Sequence, residues 1–313
     1  MTIDQGSAAA AAKDPAREPT GQGFRQFSDP ARPRVLYTGF DVDAYARAAR
    51  GRILVDAPAV QREPLDPITA ADLAFLWRLD SAGLSETRAI LSTWTSNEAR
   101  ITAFIATWAF DRMAVAWAVR DVLNAVGFDP APRSRVGLPA RLREVWVERF
   151  MPMVAPGVTA AIGETTTAWN MIRMALQEAS LQAAYAEIAP RLHGEAARVI
   201  DEVIGRRDDY VSFYHQEASA RIARSSAEAT AAKLALTAWR PLRIVGVPDP
   251  DEARAMGNIF LTDQARERLA AAQRPTLELL NGIGLRPGSD RNGGPPPPPS
   301  KGLLFTRKQN RGL

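Results

Sequence analysis

The chain has 313 residues, 46% of them hydrophobic, which is enough for one large core or for a main domain with a small annex. It contains no cysteine, so disulfides, thiolate metal sites and reactive-thiol chemistry are excluded. The formal net charge of +4 is concentrated in residues 286–313, where six basic residues face one acidic residue. The rest of the chain is near neutral, and we expect no nucleic-acid binding.

The N-terminal segment, residues 1–34, is rich in Ala, Gly, Pro and charge without periodicity, which predicts a disordered tail. It has no basic region followed by a long apolar stretch, so we expect no secretory signal. Asp111 and Arg112 interrupt the best candidate for a membrane span, "FIATWAF…MAVAWAV". These features favour a cytoplasmic protein without a membrane span.

Helical patterns dominate the first half of the central region. Asp66 and Pro67 mark the start of a helix that we expect to end at Gly83. A second helix is expected to begin with Ser85 as N-cap and to continue until Gly127. Its broad apolar surface predicts that it is long and largely buried, and the surface consists of Ile101, Phe104, Ile105, Trp108, Met113, Val115 and Val119.

The second half of the central region is also helical in pattern. "PARLREVWVERFMPMV" predicts one helix, and a longer helix is expected from Glu164 to a break near Pro190. The next helix follows the turn "PRLHG" and continues to about Arg224. The stretch "WRPLRIVGVPDPDEA", from Trp239, is expected to be irregular, and a last helix is expected at Asp263–Leu280. Four long helices with mostly short connections predict an all-α, largely antiparallel bundle over residues 35–285.

Four segments of this region resemble a known family. In order they are "DPITAADLAFL", "WTSNEARITAF", "ALQEASLQAAY" and "GRRDDYVSFYHQEASARI". Together they resemble the soluble acyl-carrier-protein desaturases and related actinobacterial ferritin-like proteins, over roughly Leu65 to Ile283. The resemblance implies a ferritin-like four-helix bundle with additional packed helices. It also implies an apolar channel for an acyl ligand and a homodimer formed through bundle faces.

The metal ligands of that family are largely missing from this chain. Family members hold two irons with a Glu from the first and third helices and a Glu-x-x-His from the second and fourth. The matching positions here are Ala71, Glu98, Ile101, Glu178, Arg207 and Tyr210. Two carboxylates remain, and neither histidine does. His193 lies in a predicted turn and His215 is about 140° around the helix from Tyr210, so we expect neither to bind a metal.

Two functions remain open at this stage. The missing ligands favour a pseudoenzyme without a cofactor, acting as a non-catalytic binding or scaffold protein. A slip in register would instead offer Asp72, Glu98, Glu178 and Asp208 as an oxygen-only ligand set, which favours manganese or magnesium over di-iron chemistry. That alternative would be a desaturase-like or oxygenase-like enzyme acting on an acyl or other apolar substrate, with a ferredoxin-like electron donor.

Arg207 suggests what stands in place of the irons. It occupies a ligand position, so we predict that it faces the carboxylates of Glu98 and Glu178 in a buried ion-pair network. The alternative is that a slightly rotated helix points Arg207 outward.

The C-terminal segment, residues 286–313, is also expected to be disordered. It contains the run Pro295–Pro299, which favours polyproline II, followed by the basic end "FTRKQNRGL". The segment is either inert or a docking element for a protein partner. The surface of the bundle is the other candidate for a partner site.

Overall fold

The computed structural model describes residues 36–131, 163–237, 239–243 and 247–281. The chain divides into two units, residues 1–37 and residues 38–313, and the account below concerns the second unit. The two predicted tails and the predicted helix "PARLREVWVERFMPMV" lie outside the described residues.

The described residues contain helices and no β-strand, which confirms the all-α prediction. In chain order the helices are α1 (Val42–Arg47), α2 (Ala57–Arg62), α3 (Pro67–Ser81), α4 (Gly83–Leu91), α5 (Ala99–Ala125), α6 (Thr165–Ile188), α7 (Gly194–Arg224), α8 (Ser226–Ala235), α9 (Asp249–Ile259) and α10 (Asp263–Glu278). Short 3-10 turns occupy Trp94–Asn97 and Ala189–Arg191. Among these helices none is long and apolar enough to cross a bilayer.

The second predicted helix is in fact two helices, α4 and α5, so Ser85 lies inside a helix and is not a cap. The break follows from side chains that bind nearby backbone groups. The hydroxyl of Thr93 donates to the carbonyl of Ile90 at 2.6 Å and accepts from the backbone N–H of Thr95, while the Ser96 hydroxyl donates to the Thr93 carbonyl. Such local bonds compete with helical ones and end the helix.

The helices of the second half agree better with the sequence. α6, α7 and α10 begin and end within two residues of their predicted limits, and the 3-10 turn contains the expected break at Pro190. The stretch expected to be irregular is only partly so, because α9 begins in it at Asp249. Three acidic residues in the first turn of α9 favour the helix N-terminus: Asp249, Asp251 and Glu252.

Four helices, α3, α5, α6 and α7, pack around a common core and form what we call the central bundle. Their directions follow from pairs of contacting side chains. Between α6 and α7 these are Glu164–Arg224 and Glu178–Arg207, and between α5 and α7 they are Glu98–Arg221 and Asp111–Arg206. Between α3 and α6 with its 3-10 turn they are Asp72–Arg191 and Asp80–Tyr185. In each pairing the residue numbers rise on one helix as they fall on the other, so the contacting helices are antiparallel.

It follows that α5 and α6, which lie diagonally across the bundle, run parallel to each other. Ala125 and Thr165 are therefore at opposite ends of the bundle, and residues 126–164 connect them. The further helical stretch that the sequence predicts between them lies outside the described residues.

The core of the bundle consists of two apolar clusters. The Leu76 cluster includes Leu73, Leu76, Leu79, Val115, Val119, Leu181, Val199 and Val203. The Phe104 cluster includes Ile101, Phe104, Ile105, Trp108, Met171, Leu176, Phe213 and Tyr214. On α5 and α6 the residues of the Phe104 cluster come before a buried charged residue, Arg112 or Glu178, and those of the Leu76 cluster come after it. On α7 the order is reversed around Arg207. Charged side chains lie between the two clusters.

The N-terminus of α3 offers a test of local stability. The Asp66 carboxylate accepts the backbone N–H groups of Ile68 and Thr69 at 2.9 and 3.0 Å, and its bonds from Thr69 hold its pKa below the ordinary 3.8. We expect Asp66→Ala to lower the free energy of unfolding by about 1 kcal/mol, as loss of an N-cap does. Urea denaturation at neutral pH measures this cost.

The pH dependence of the same cap has a definite sign. A lowered pKa in the folded state means that the charged cap stabilises above pH 3.8, and that this contribution disappears as the pH falls through the lower folded value. The difference between wild type and Asp66→Ala should therefore shrink in acid. Asp66→Asn is the matched control, because it keeps a capping oxygen and cannot titrate. An equal difference at all pH values would contradict this assignment.

Candidate functional site

Each helix of the central bundle contributes one fully buried charged side chain to the layer between the apolar clusters. Asp80 comes from α3, Arg112 from α5, Glu178 from α6 and Arg207 from α7, and their side chains have no exposed surface. Arg207 bridges the two acids, with Nη1 donating to Glu178 Oε2 and Nη2 to Asp80 Oδ1, both at 2.5 Å. Arg112 Nε donates to Asp80 Oδ1 at 3.3 Å, and its Nη1 lies 3.5 Å from Glu178 Oε1. We call this set the charged layer.

Neutral groups add hydrogen bonds to the two acids of the layer. Tyr185 donates its hydroxyl to Asp80 Oδ2 at 2.7 Å, and the indole N–H of Trp108 donates to Glu178 Oε1 at 3.2 Å. The guanidinium of Arg207 lies over the Tyr185 ring, 5.1 Å from its centre. The indole and guanidinium groups can only donate, so the carboxylate oxygens that they bind act as acceptors.

Burial and charge act in opposite directions on these groups. Burial disfavours the charged form of Arg112, but the carboxylates of Glu86 and Glu178 outweigh it and raise the pKa of this guanidinium. Asp80 and Glu178 likewise raise the pKa of Arg207 against the effect of burial. Burial raises the pKa of Glu178, and the two guanidinium groups oppose that shift. Both arginines therefore remain charged throughout the physiological pH range.

Arg112 also pairs with an acid at the border of the layer. This acid is Glu86, a partly exposed residue of α4, so the two guanidinium groups of the layer face three carboxylates. Each buried carboxylate of the layer has a guanidinium partner, and buried charges are tolerated when they are paired.

The predicted partners of Arg207 are half correct. Arg207 is buried and binds Glu178, so the outward orientation is excluded, but its second acid is Asp80 and not Glu98. Glu98 lies at the N-terminus of α5, at the end of the bundle, where both of its oxygens accept from Arg221 Nη2 at 2.7 Å. Burial raises the pKa of Glu98, and Arg221 opposes this effect.

The remaining positions matched to the family are not ionic. Ala71 is half-buried on α3, and Ile101 belongs to the Phe104 cluster. Tyr210 is fully buried one turn from Arg207, and its hydroxyl has no hydrogen-bond partner within the described part of the chain. Ala71 and Glu98 lie away from the layer, since Asp80 and Arg112 occupy the equivalent level of α3 and α5.

The alternative ligand set of four carboxylates does not converge. Asp72 accepts from Arg191 and from Asn258, Glu98 binds Arg221, and Asp208 accepts from Gln182 at 2.6 Å on an exposed part of α7. Glu178 is in the charged layer. Among the described residues no group of three or more His, Cys, Asp or Glu side chains is arranged to hold a metal ion.

The charged layer does not fit a dinuclear iron centre. Such a centre needs carboxylate and imidazole ligands, whereas guanidinium groups take up carboxylate oxygens here and repel a cation. His193 is exposed in the turn before α7, and His215 bonds to Thr276 of α10 at 3.1 Å, with its pKa lowered by burial. Neither histidine reaches the layer, as the sequence indicated.

Asp80 and Arg112 were missed from the sequence, although a signal for them exists. Arg112 lies four residues after Trp108 and three before Val115, so it occupies a position of the apolar stripe of α5. Asp80 continues the stripe formed by Leu73 and Leu76 on α3 in the same way. A charge within an apolar helical stripe indicates a buried charge that needs a partner.

Comparison with known proteins identifies no relative. No protein-family model matches this chain, and neither the curated proteins nor the solved structures include a significant match. The chemistry of the charged layer and the topology of the bundle are therefore the features that indicate a function.

Proposed function

We propose that this chain is a ferritin-like helical protein without a metal centre, acting as a non-catalytic binding or scaffold protein. The observation that carries the proposal is the pair of buried arginines, Arg112 and Arg207, between the acids of α3 and α6. Arg207 stands at a position that the family resemblance assigns to a metal ligand, and the two guanidinium groups take up carboxylate oxygens that a metal would otherwise need.

The topology of the central bundle supports the ferritin-like part of the proposal. A ferritin-like bundle has one long crossover, in contrast to a simple up-and-down bundle with short loops. Here α5 and α6 are parallel and residues 126–164 join opposite ends of the bundle. In that family interior ligands from four helices converge, and the charged layer likewise consists of side chains from all four helices of the central bundle.

The first test is the metal content of the full chain produced with added iron and manganese, measured by inductively coupled plasma mass spectrometry. We expect far less than one ion per chain. We also expect no change in Tm on adding Fe²⁺ or Mn²⁺, because an ion that bound the native state would raise its stability.

If metal were found, three variants would show whether these carboxylates hold it. Stoichiometric metal that is lost in Glu178→Gln or Glu98→Gln, but kept in Glu187→Gln, would overturn the proposal in favour of a metalloenzyme with an unfamiliar centre. Glu187 is the matched control because it lies on α6 with Glu178 but pairs with Arg268 at the surface.

A further inference from the structure

A cleft of about 200 Å³ lies between the α3–α4 junction and α5. Its lining includes the large apolar side chains of Trp77, Leu84, Met113 and Trp117 and the exposed Arg120. The buried residues Asp80 and Gly83 also line it, so the cleft extends inward as far as the charged layer. The layer does not use this space, because its hydrogen bonds are made inside the bundle.

The size of the cleft selects a small occupant. An apolar cavity of about 150 Å³ is large enough for benzene, so the volume here holds one ring and a small substituent. A partner helix, with a diameter of about 10 Å, cannot enter a space of this size.

The wall of the cleft selects a planar, apolar group. Trp77 and Trp117 offer aromatic surface, Met113 offers a polarisable thioether, and the alanines at 109 and 116 leave room beside them. The guanidinium of Arg52 lies 6.0 Å from the centre of the Trp117 ring, which helps to hold that ring in place. Leu84 is 48% exposed at the mouth, where an apolar ligand would cover it.

The charges around the cleft select an anion. Arg120 is exposed and has no ion-pair partner within the described part of the chain, whereas Arg52 nearby binds Asp121 at 2.7 Å. Asp80 offers no free acceptor, because Arg112, Arg207 and Tyr185 already bind its oxygens. Arg120 is therefore the charged group available to a ligand.

We propose that this cleft binds a small planar aromatic carboxylate, with its ring against Trp77, Trp117 and Met113 and its carboxylate at Arg120. The binding is non-covalent and goes beyond the proposed function, since it depends on the outer wall of the bundle and not on the absence of metal.

The test is NMR titration of the full chain labelled with ¹⁵N-tryptophan, using benzoate as the probe. The indole signals of Trp77 and Trp117, assigned with Trp77→Phe and Trp117→Phe, should shift together, while those of the other tryptophans stay in place. Cyclohexanecarboxylate keeps the charge without the planar ring, and benzamidine keeps the ring with the opposite charge, so both should bind more weakly.

Substitutions test separately the contribution of the arginine charge and that of the space inside the cleft. Arg120→Gln should weaken benzoate binding about threefold to fivefold, the expected loss for one exposed ion pair, whereas Arg268→Gln, which removes an exposed charge of α10 that does not line the cleft, should leave binding nearly unchanged. Met113→Trp should fill the cleft and abolish the shifts. Equal binding of benzoate and benzamidine, shifts at other tryptophans, or no shifts would each overturn the proposal. Because the readout does not involve metal, its failure is distinguishable from failure of the proposed function.

Discussion

Replacing Arg207 with alanine is expected to lower the free energy of unfolding by about 3–5 kcal/mol, the cost of breaking a buried ion pair from one side. The substitution removes the group that bridges Asp80 and Glu178 at 2.5 Å and leaves their charges to Arg112 alone. Urea denaturation followed by far-UV circular dichroism measures the loss. We also expect the remaining acids to take up protons, so the loss should be smaller at acidic pH.

Arg198→Ala is the matched control for this measurement. Arg198 lies on the same helix and also contacts two acids, Glu195 and Glu202, but its side chain is 49% exposed. Exposed pairs contribute about 0–1 kcal/mol, so this variant should be nearly as stable as wild type. If both variants lost the same small amount, the charged layer would have no special role in stability.

Replacing the whole layer with apolar residues is expected to restore most of that stability. The variant combines Asp80→Leu, Arg112→Met, Glu178→Met, Tyr185→Phe and Arg207→Met. Apolar replacement of a buried ionic network is commonly neutral or stabilising by about 1–4 kcal/mol. The indole N–H of Trp108 loses its acceptor, Glu178, at a cost of about 1–3 kcal/mol, so the two effects nearly cancel.

The multiple variant should therefore unfold at nearly the same urea concentration as wild type, and well above Arg207→Ala. Arg207→Met alone is the control, because it keeps the length of the side chain and removes only the charge. If the multiple variant were no more stable than Arg207→Met, the cost of losing Arg207 would come from packing and not from the uncompensated carboxylates.

The sequence was sufficient for the pair Glu178 and Arg207 because of how their helices are connected. α6 and α7 are joined by the short segment 189–193, so the register between them has little freedom. Both helices also have long apolar stripes with clear ends. The contact between residues 29 positions apart was predicted from the family resemblance, which places Arg207 at a ligand position, and the short connection is the physical reason why the register holds.

The other half of the layer could not be placed in the same way. The break at residues 92–98 separates α4 from α5, and the register of α5 against α7 is then fixed by tertiary contacts such as Glu98 with Arg221. Local hydrogen bonds of Thr93 cause that break, and the periodicity of apolar residues carries no information about them. Arg112 was visible only as an interruption of an apolar stretch, although the interruption falls on the buried face.

The distribution of charge between the two halves of the bundle has a consequence for folding. α3 and α5 bring one acid and one base, Asp80 and Arg112, and α6 and α7 bring another such pair, Glu178 and Arg207. Each helical hairpin can thus form with its two charges of the layer already cancelled by each other. Docking of the two hairpins then exchanges partners within the layer, with Arg207 reaching across to Asp80, so the layer itself never has to pass through a state with net buried charge.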